Sequence, residues 1–305
     1  MKPVSSVQTA PGKVIVVGEH AVVYGQPAIA TSIHRHLVLT AALQQGLSGP
    51  GSNDPRVRAA LRMATTIFAL DPHRINISVE SDIPTSCGLG SSAAFSVTLL
   101  RALAEISGKE LSTEDLLRLA KEIEAVFHGR SSGIDVSAVG LGGVIWFERD
   151  AQVPATRLEV RDSFDLVIGV SHEQRTTADQ VRELHLRICA RPDHYGHFLR
   201  HLGSLARAAR DALGRGDFPA LGLLMNTAQE VLNGMGLSTP TLEHMIAVAR
   251  SAGASGAKLT GAGGGGAVIA LAREGAPDVA KALRAEGFEA FTTRVEGTAG
   301  ARSIP

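Results

Sequence analysis

The chain has 305 residues, enough for one large domain or two of medium size. Lys and Arg total 30 and Asp and Glu total 30, a formal charge of +0, which excludes the broad basic surface that nucleic acid demands. Aromatic residues are 4% of the chain, too few for base-stacking platforms, and the two cysteines, Cys87 and Cys189, make neither a disulfide framework nor a metal-type pair. No basic start leads into an apolar run, and no apolar run reaches membrane-spanning length. A cytoplasmic protein that engages neither membrane nor nucleic acid is therefore expected.

In chain order, KVIVVG (13–18) reads as the first strand, and AIATSI (28–33) and HLVLTAAL (36–43) as two more. LSGPGSNDP (47–55) is loop-like, VRAALRMATTIFAL (57–70) is helical and INISVESDIP (75–84) alternates as a strand. A glycine loop then enters a helix over 92–107. LSTEDLLRLAKEIEAVFHG (111–129) is a helix with Ser112 and Asp115 as a capping box and Gly129 as its stop. GGVIWF (142–147) and FDLVIGV (164–170) are strands, and the polar stretch between them suits a domain boundary near residue 155. Helices follow over 177–191, 198–214, 218–232 and 239–252, then a glycine loop running into a strand, a helix (276–287) and a last strand (290–295). The mixture lacks a regular βαβ period, so the fold class is α+β, with domains over 1–155 and 156–305.

Thirty-three glycines cluster rather than scatter. In SDIPTSCGLGSSAAFSV (81–97), Gly88 and Gly90 precede a stretch, Ser92–Leu100, that carries no charge. Such a helix is buried nearly all round. Its first turn holds free N–H groups and partial positive charge, and glycines before it let an anion approach them. A tight turn with an N-capping serine is the plainer reading. The chain holds no G-x-x-x-x-G-K-[ST], which argues against a P-loop enzyme. A second glycine loop, Gly263–Gly266, runs into an apolar strand rather than a polar linker.

At about 100° per residue, Leu116, Leu117, Ala120, Ile123 and Phe127 share one arc of their helix, and Glu124 falls inside it. A carboxylate on a core-facing arc needs a cation, a metal or several donors. It either pairs with an arginine at the helix end or offers a hard oxygen to Mg²⁺. Asp135, between Gly133 and a strand, either caps a turn or faces a reacting hydroxyl. His194, His197 and His201 lie at i, i+3 and i+7, a possible metal face, but polar neighbours make a solvated face the expectation. His34 and His36 are expected to face solvent.

PGKVIVVGEHAVVYG (11–25), GLGSSAA (88–94), HGRSSGID (128–135) and GAKLTGAGGGG (256–266) together resemble the GHMP kinases, and within them the mevalonate kinase branch. RTTADQV (175–181), LSTPTLEHMI (237–246) and the preceding Asn226 and Gln229 fit the same pattern. The resemblance implies a ribosomal-S5-like N-terminal domain, a ferredoxin-like C-terminal domain and often a homodimer. It implies Mg²⁺- and ATP-dependent phosphorylation of the 5-hydroxyl of mevalonate. Carried over by position, Gly88, Leu89, Gly90, Ser91, Ser92 and Ala93 hold the ATP phosphates. Ser92 and Glu124 hold Mg²⁺, Asp135 faces the substrate hydroxyl with Lys13 beside it, and Glu19 and His20 bind mevalonate. Ser131 stands where the family usually has Pro, Val136 where it has Asn and Ala267 where Cys is common. Val136 leans toward phosphomevalonate kinases. Another kinase of the family, acting on phosphomevalonate or a sugar, and a catalytically silent nucleotide-binding module are the alternatives.

Overall fold

The computed structural model describes residues 4–44, 54–129, 131–171, 173 and 177–298. The chain divides into two compact units, one of Met1–Gly12, Arg35–Ile83 and Gly90–Leu141, the other of Lys13–His34, Pro84–Leu89 and Gly142–Pro305. Residues 47–53 of the loop expected at 47–55 and the first residues of RTTADQV lie outside the described residues, while Asp54 and Pro55 at the loop's end already form the cap and first residue of a helix.

Two long strands, β1 (Ser5–Val17) and β2 (Ala28–Leu43), each contribute to both units. β2 is one strand where the sequence suggested two, because exposed His34 and His36 alternate with buried Ile33 and Leu37 without breaking the two-residue period. In the first unit, Leu37–Leu43 pairs antiparallel with β3 (Ile75–Ser81). Four helices complete that unit: α1 (Pro55–Phe68), α2 (Ser91–Ser107), α3 (Thr113–His128) and α4 (Ile134–Leu141). α2 packs against the other three and buries residues on every side, as its uncharged first half requires. Ser112 caps α3 by accepting from the Asp115 N–H at 3.1 Å, and Gly129 ends it at φ 77°.

In the second unit, Ala28–Thr31 pairs with β4 (Val144–Phe147), and β4 pairs with β5 (Ala155–Arg157) inside the polar stretch expected to hold a domain boundary. The remaining strands are β6 (Phe164–Val170), β7 (Gly256–Thr260), β8 (Ala267–Leu271) and β9 (Glu289–Val295). They form an antiparallel sheet in the order β7-β8-β6-β9. With helices between β6 and β7, a direct β7-to-β8 link and α9 (Ala276–Ala285) between β8 and β9, this is the ferredoxin-like arrangement that the resemblance implied. β7 was not foreseen: its small residues and Lys258 hide a strand buried at all five positions.

The other helices are α5 (Thr177–Ala190), α6 (Pro192–Arg215), α7 (Phe218–Gly234) and α8 (Pro240–Ser251). α6 starts six residues earlier than its apolar period suggested, because Pro192 occupies the first turn, where its missing N–H costs nothing. α7 satisfies the open edge of β7. Asn226 Oδ1 accepts from the Ala257 N–H at 3.0 Å, and Gln229 Oε1 accepts from the Leu259 N–H at 2.9 Å. Two side-chain amides thus take the place of a neighbouring strand. None of the described helices is long and apolar enough to cross a membrane.

Candidate functional site

The first glycine loop is divided between the units: Pro84–Leu89 lies in the second, and Gly90 opens α2 in the first. Gly90 is the N-cap at φ 84°, a left-handed conformation that suits glycine. It makes no side-chain cap hydrogen bond to the first turn, where the positive end of the helix dipole lies. The N-capping serine of the plainer reading is absent. Ser91 and Ser92 are half-buried, and Ala93 is buried.

Glu124 in α3 is 2% exposed, and Ala120 and Ile123 beside it are fully buried, so the helical-face argument located it correctly. The Ser131 hydroxyl donates to Glu124 Oε2. Ser131 also accepts from the Gly133 N–H at 3.1 Å. The residue that departs from the family's usual proline therefore orders this carboxylate, a role that sequence position alone did not reveal. Asp135 is half-buried in the first turn of α4 rather than in a turn before a strand. The run IDVSAVGL is short and its burial is on several sides, which conceals helical periodicity. An acid in a first helical turn is favoured by the helix dipole.

In the second unit, Lys13 is 1% exposed on β1, and its N–H donates to the Leu89 carbonyl at 2.9 Å. That bond joins β1 to the first glycine loop. The second glycine loop runs along the same segment: a Cβ on Gly261 would lie 3.5 Å from Gly88 Cα, and one on Gly266 would lie 3.0 Å from the Cys87 carbonyl oxygen. Cys87 is buried, and burial raises its thiol pKa, which leaves it a packing residue rather than a nucleophile.

Glu19 follows Gly18, where φ is 108° and an added Cβ would meet Ala28 Cα at 2.6 Å, so only glycine allows this approach. Glu19 is 0% exposed and forms an ion pair with the equally buried Lys258 of β7. Burial pushes the Glu19 carboxyl up, and Lys258, then Lys13, pull it back. Burial likewise pushes the Lys258 ammonium down, opposed by Glu19. The Lys258 partner, 239 residues away in sequence, was not foreseen. His20 stands at φ 59° and its Nε2–H donates to the Ala262 carbonyl at 2.8 Å, which ties it to the second glycine loop. Burial lowers its pKa to about 4, so the ring is neutral at physiological pH.

The structure thus gathers Lys13, Glu19, His20, Gly88 and Leu89 in one unit, and Gly90, Ser91, Ser92, Ala93, Glu124 and Asp135 in the other. His194, His197 and His201 are exposed on α6, and no described group of three or more acidic, histidine or cysteine side chains is arranged to hold a metal. His34 and His36 are also exposed.

The family model for the GHMP kinases N terminal domain matches residues 56–143, and that for GHMP kinases C terminal matches residues 209–289. The mevalonate kinase of Aeropyrum pernix is 35% identical over 312 residues, covering 94% of this chain and 95% of that one. The mevalonate kinase of Pyrococcus furiosus is 31% identical over 323 residues, covering 95% and 96%. Among solved structures, L. major mevalonate kinase in complex with R-mevalonate superposes with a TM-score of 0.86 at 26% identity, covering 97% of each chain. The Methanococcus jannaschii mevalonate kinase has a TM-score of 0.79 at 24% identity, covering 97% and 99%, and supports the fold. Similarity of this extent, continuous across both family models, establishes that the chain belongs to the GHMP kinase family.

Proposed function

We propose that this chain transfers the γ-phosphoryl group of ATP to the 5-hydroxyl of mevalonate. The observation that carries the reading is its near full-length similarity to mevalonate kinases, those of Aeropyrum pernix and Pyrococcus furiosus being 35% and 31% identical. The chemistry of the residues agrees with it. Phosphoryl transfer passes through a loose transition state, so catalysis rests on positioning and charge neutralisation. The N–H groups at the start of α2 are assigned to the ATP phosphates, with Gly88 and Gly90 leaving room for them. The division of labour assigned is a phosphate-binding domain over 1–155 and a second domain over 156–305.

The donors available for Mg²⁺ suit it: Glu124 gives a buried carboxylate and Ser92 a hydroxyl, both hard oxygens. When bound, Mg²⁺ supplies positive charge to the phosphate oxygens. Asp135 is assigned as acceptor of the hydroxyl proton, and Lys13 as the cation that stabilises the charge developing on that oxygen. Glu19 and the neutral His20 are assigned to the hydroxyl and carboxylate end of mevalonate.

A coupled ADP-release assay with mevalonate, phosphomevalonate, galactose and homoserine tests the reading. Turnover with mevalonate and kcat/KM at least ~10²-fold below it for the other three is expected. Preference for phosphomevalonate or a sugar would move the chain to another branch of the family.

A further inference from the structure

The reading above uses Glu19 but not its partner. We infer that Lys258 is a positioning residue for substrate binding: its ammonium holds one carboxylate oxygen of Glu19 and leaves the other to accept a hydrogen bond from a hydroxyl of the bound alcohol. The inference rests on the proposed mevalonate kinase activity and adds a residue to it.

Four observations carry it. First, Lys258 and Glu19 are both 0% exposed, so neither charge reaches solvent and each depends on the other. Second, the contact is made by Glu19 Oε1 alone; Oε2 is buried and makes no hydrogen bond among the described residues. A carboxylate oxygen in that state forfeits solvation, and a ligand hydroxyl would restore it. Third, both ends of the clamp are rigid. Lys258 Nζ also donates to the Leu259 carbonyl at 2.6 Å, and the Lys258 backbone is opposite Ile269 in the β7–β8 pairing. Glu19 sits between Gly18, pressed against Ala28, and His20, pinned through its ring to Ala262. Fourth, the surrounding charges leave the task to Lys258. Lys13 on β1 attracts Glu19 more weakly, and His20 is uncharged above about pH 4. Burial favours the protonated acid and Lys258 opposes it, so removing Lys258 shifts Glu19 further from acceptor toward donor.

The test is steady-state kinetics of the full chain, wild type against Lys258→Met, with mevalonate and ATP varied separately from pH 6 to 9. Wild type should show a nearly flat KM for mevalonate. Lys258→Met should raise that KM about tenfold or more at pH 7, with recovery toward high pH as Glu19 ionises, while KM for ATP stays within twofold. A purely structural lysine would lower Tm and leave the KM for mevalonate and its pH profile unchanged, which would overturn the inference. If Lys258→Met does not fold, Glu19→Gln is compared with Glu19→Gln/Lys258→Met, which buries no unpaired charge. Once the carboxylate is gone, Lys258 has nothing to position, so the two should share one raised KM for mevalonate. A further rise in the double variant would overturn the assignment. Wild type without mevalonate turnover would refute the parent reading instead, so the two failures are distinguishable.

Discussion

Gly88→Ala separates a phosphate cradle from a tight turn, because the protein itself has space for the added methyl. A Cβ there would meet Gly261 Cα at 3.7 Å and the Thr260 carbonyl oxygen at 3.8 Å, both ordinary contacts. The cost within the protein is that of holding an alanine at φ +74°, roughly 1–2 kcal/mol. At about 2–4 °C per kcal/mol for a large domain, Tm should fall by roughly 2–8 °C, and the variant should fold. Gly142→Ala is the matched control: φ is +69° and nothing lies within 4 Å. Both variants therefore carry similar strain, but only one carries it where phosphate is assigned. Isothermal titration with a non-hydrolysable ATP analogue should show Kd raised at least tenfold in Gly88→Ala, about 1.4 kcal/mol, and unchanged in Gly142→Ala. Equal affinity in the two folded variants would refute the cradle and leave Gly88 to the turn alone.

Three further outcomes are expected. Asp135→Asn should cut kcat by at least roughly 10²-fold with ATP affinity within a few-fold, as measured by ADP release and titration. Glu124→Gln should raise the Mg²⁺ concentration for half-maximal rate several-fold and weaken Mg²⁺-dependent thermal stabilisation by ATP. His20 titrates at about 4 when folded and about 6.5 when unfolded, so between those values the unfolded chain binds the extra proton. Its contribution to stability is present above about pH 6.5 and lost as pH falls toward 4, about 3 kcal/mol in all. His20→Asn, which keeps a polar side chain but no titrating ring, should lose less stability than wild type between pH 7 and 4.5 in denaturant titrations.

Local physics made much of this chain legible. The N-cap at Ser112, the uncharged α2 and the intrusion of Glu124 into an apolar arc are short-range patterns, and each reads directly from adjacent residues. What stayed hidden is long-range or compositional. Lys258 and Glu19 meet across 239 residues, and a lysine in a strand looks exposed until its buried partner is known. β7 hides because it is flanked by glycines and its open edge is completed by Asn226 and Gln229 of α7 rather than by another strand. Asp135 falls in a helix of only eight residues, too short to display a period. Ser131 looks like a neutral replacement for proline, yet its hydroxyl supplies a donor to Glu124 that proline lacks.

The central claim is transfer of phosphate from ATP to one particular oxygen, and the product itself tests it most directly. Incubation of the purified chain with ATP, Mg²⁺ and R-mevalonate, followed by proton-coupled ³¹P NMR, should give a new phosphomonoester resonance split into a triplet by the two protons on C5, formed in a one-to-one ratio with ADP. ADP release without that resonance, or an ester signal lacking the C5 coupling, would contradict the account.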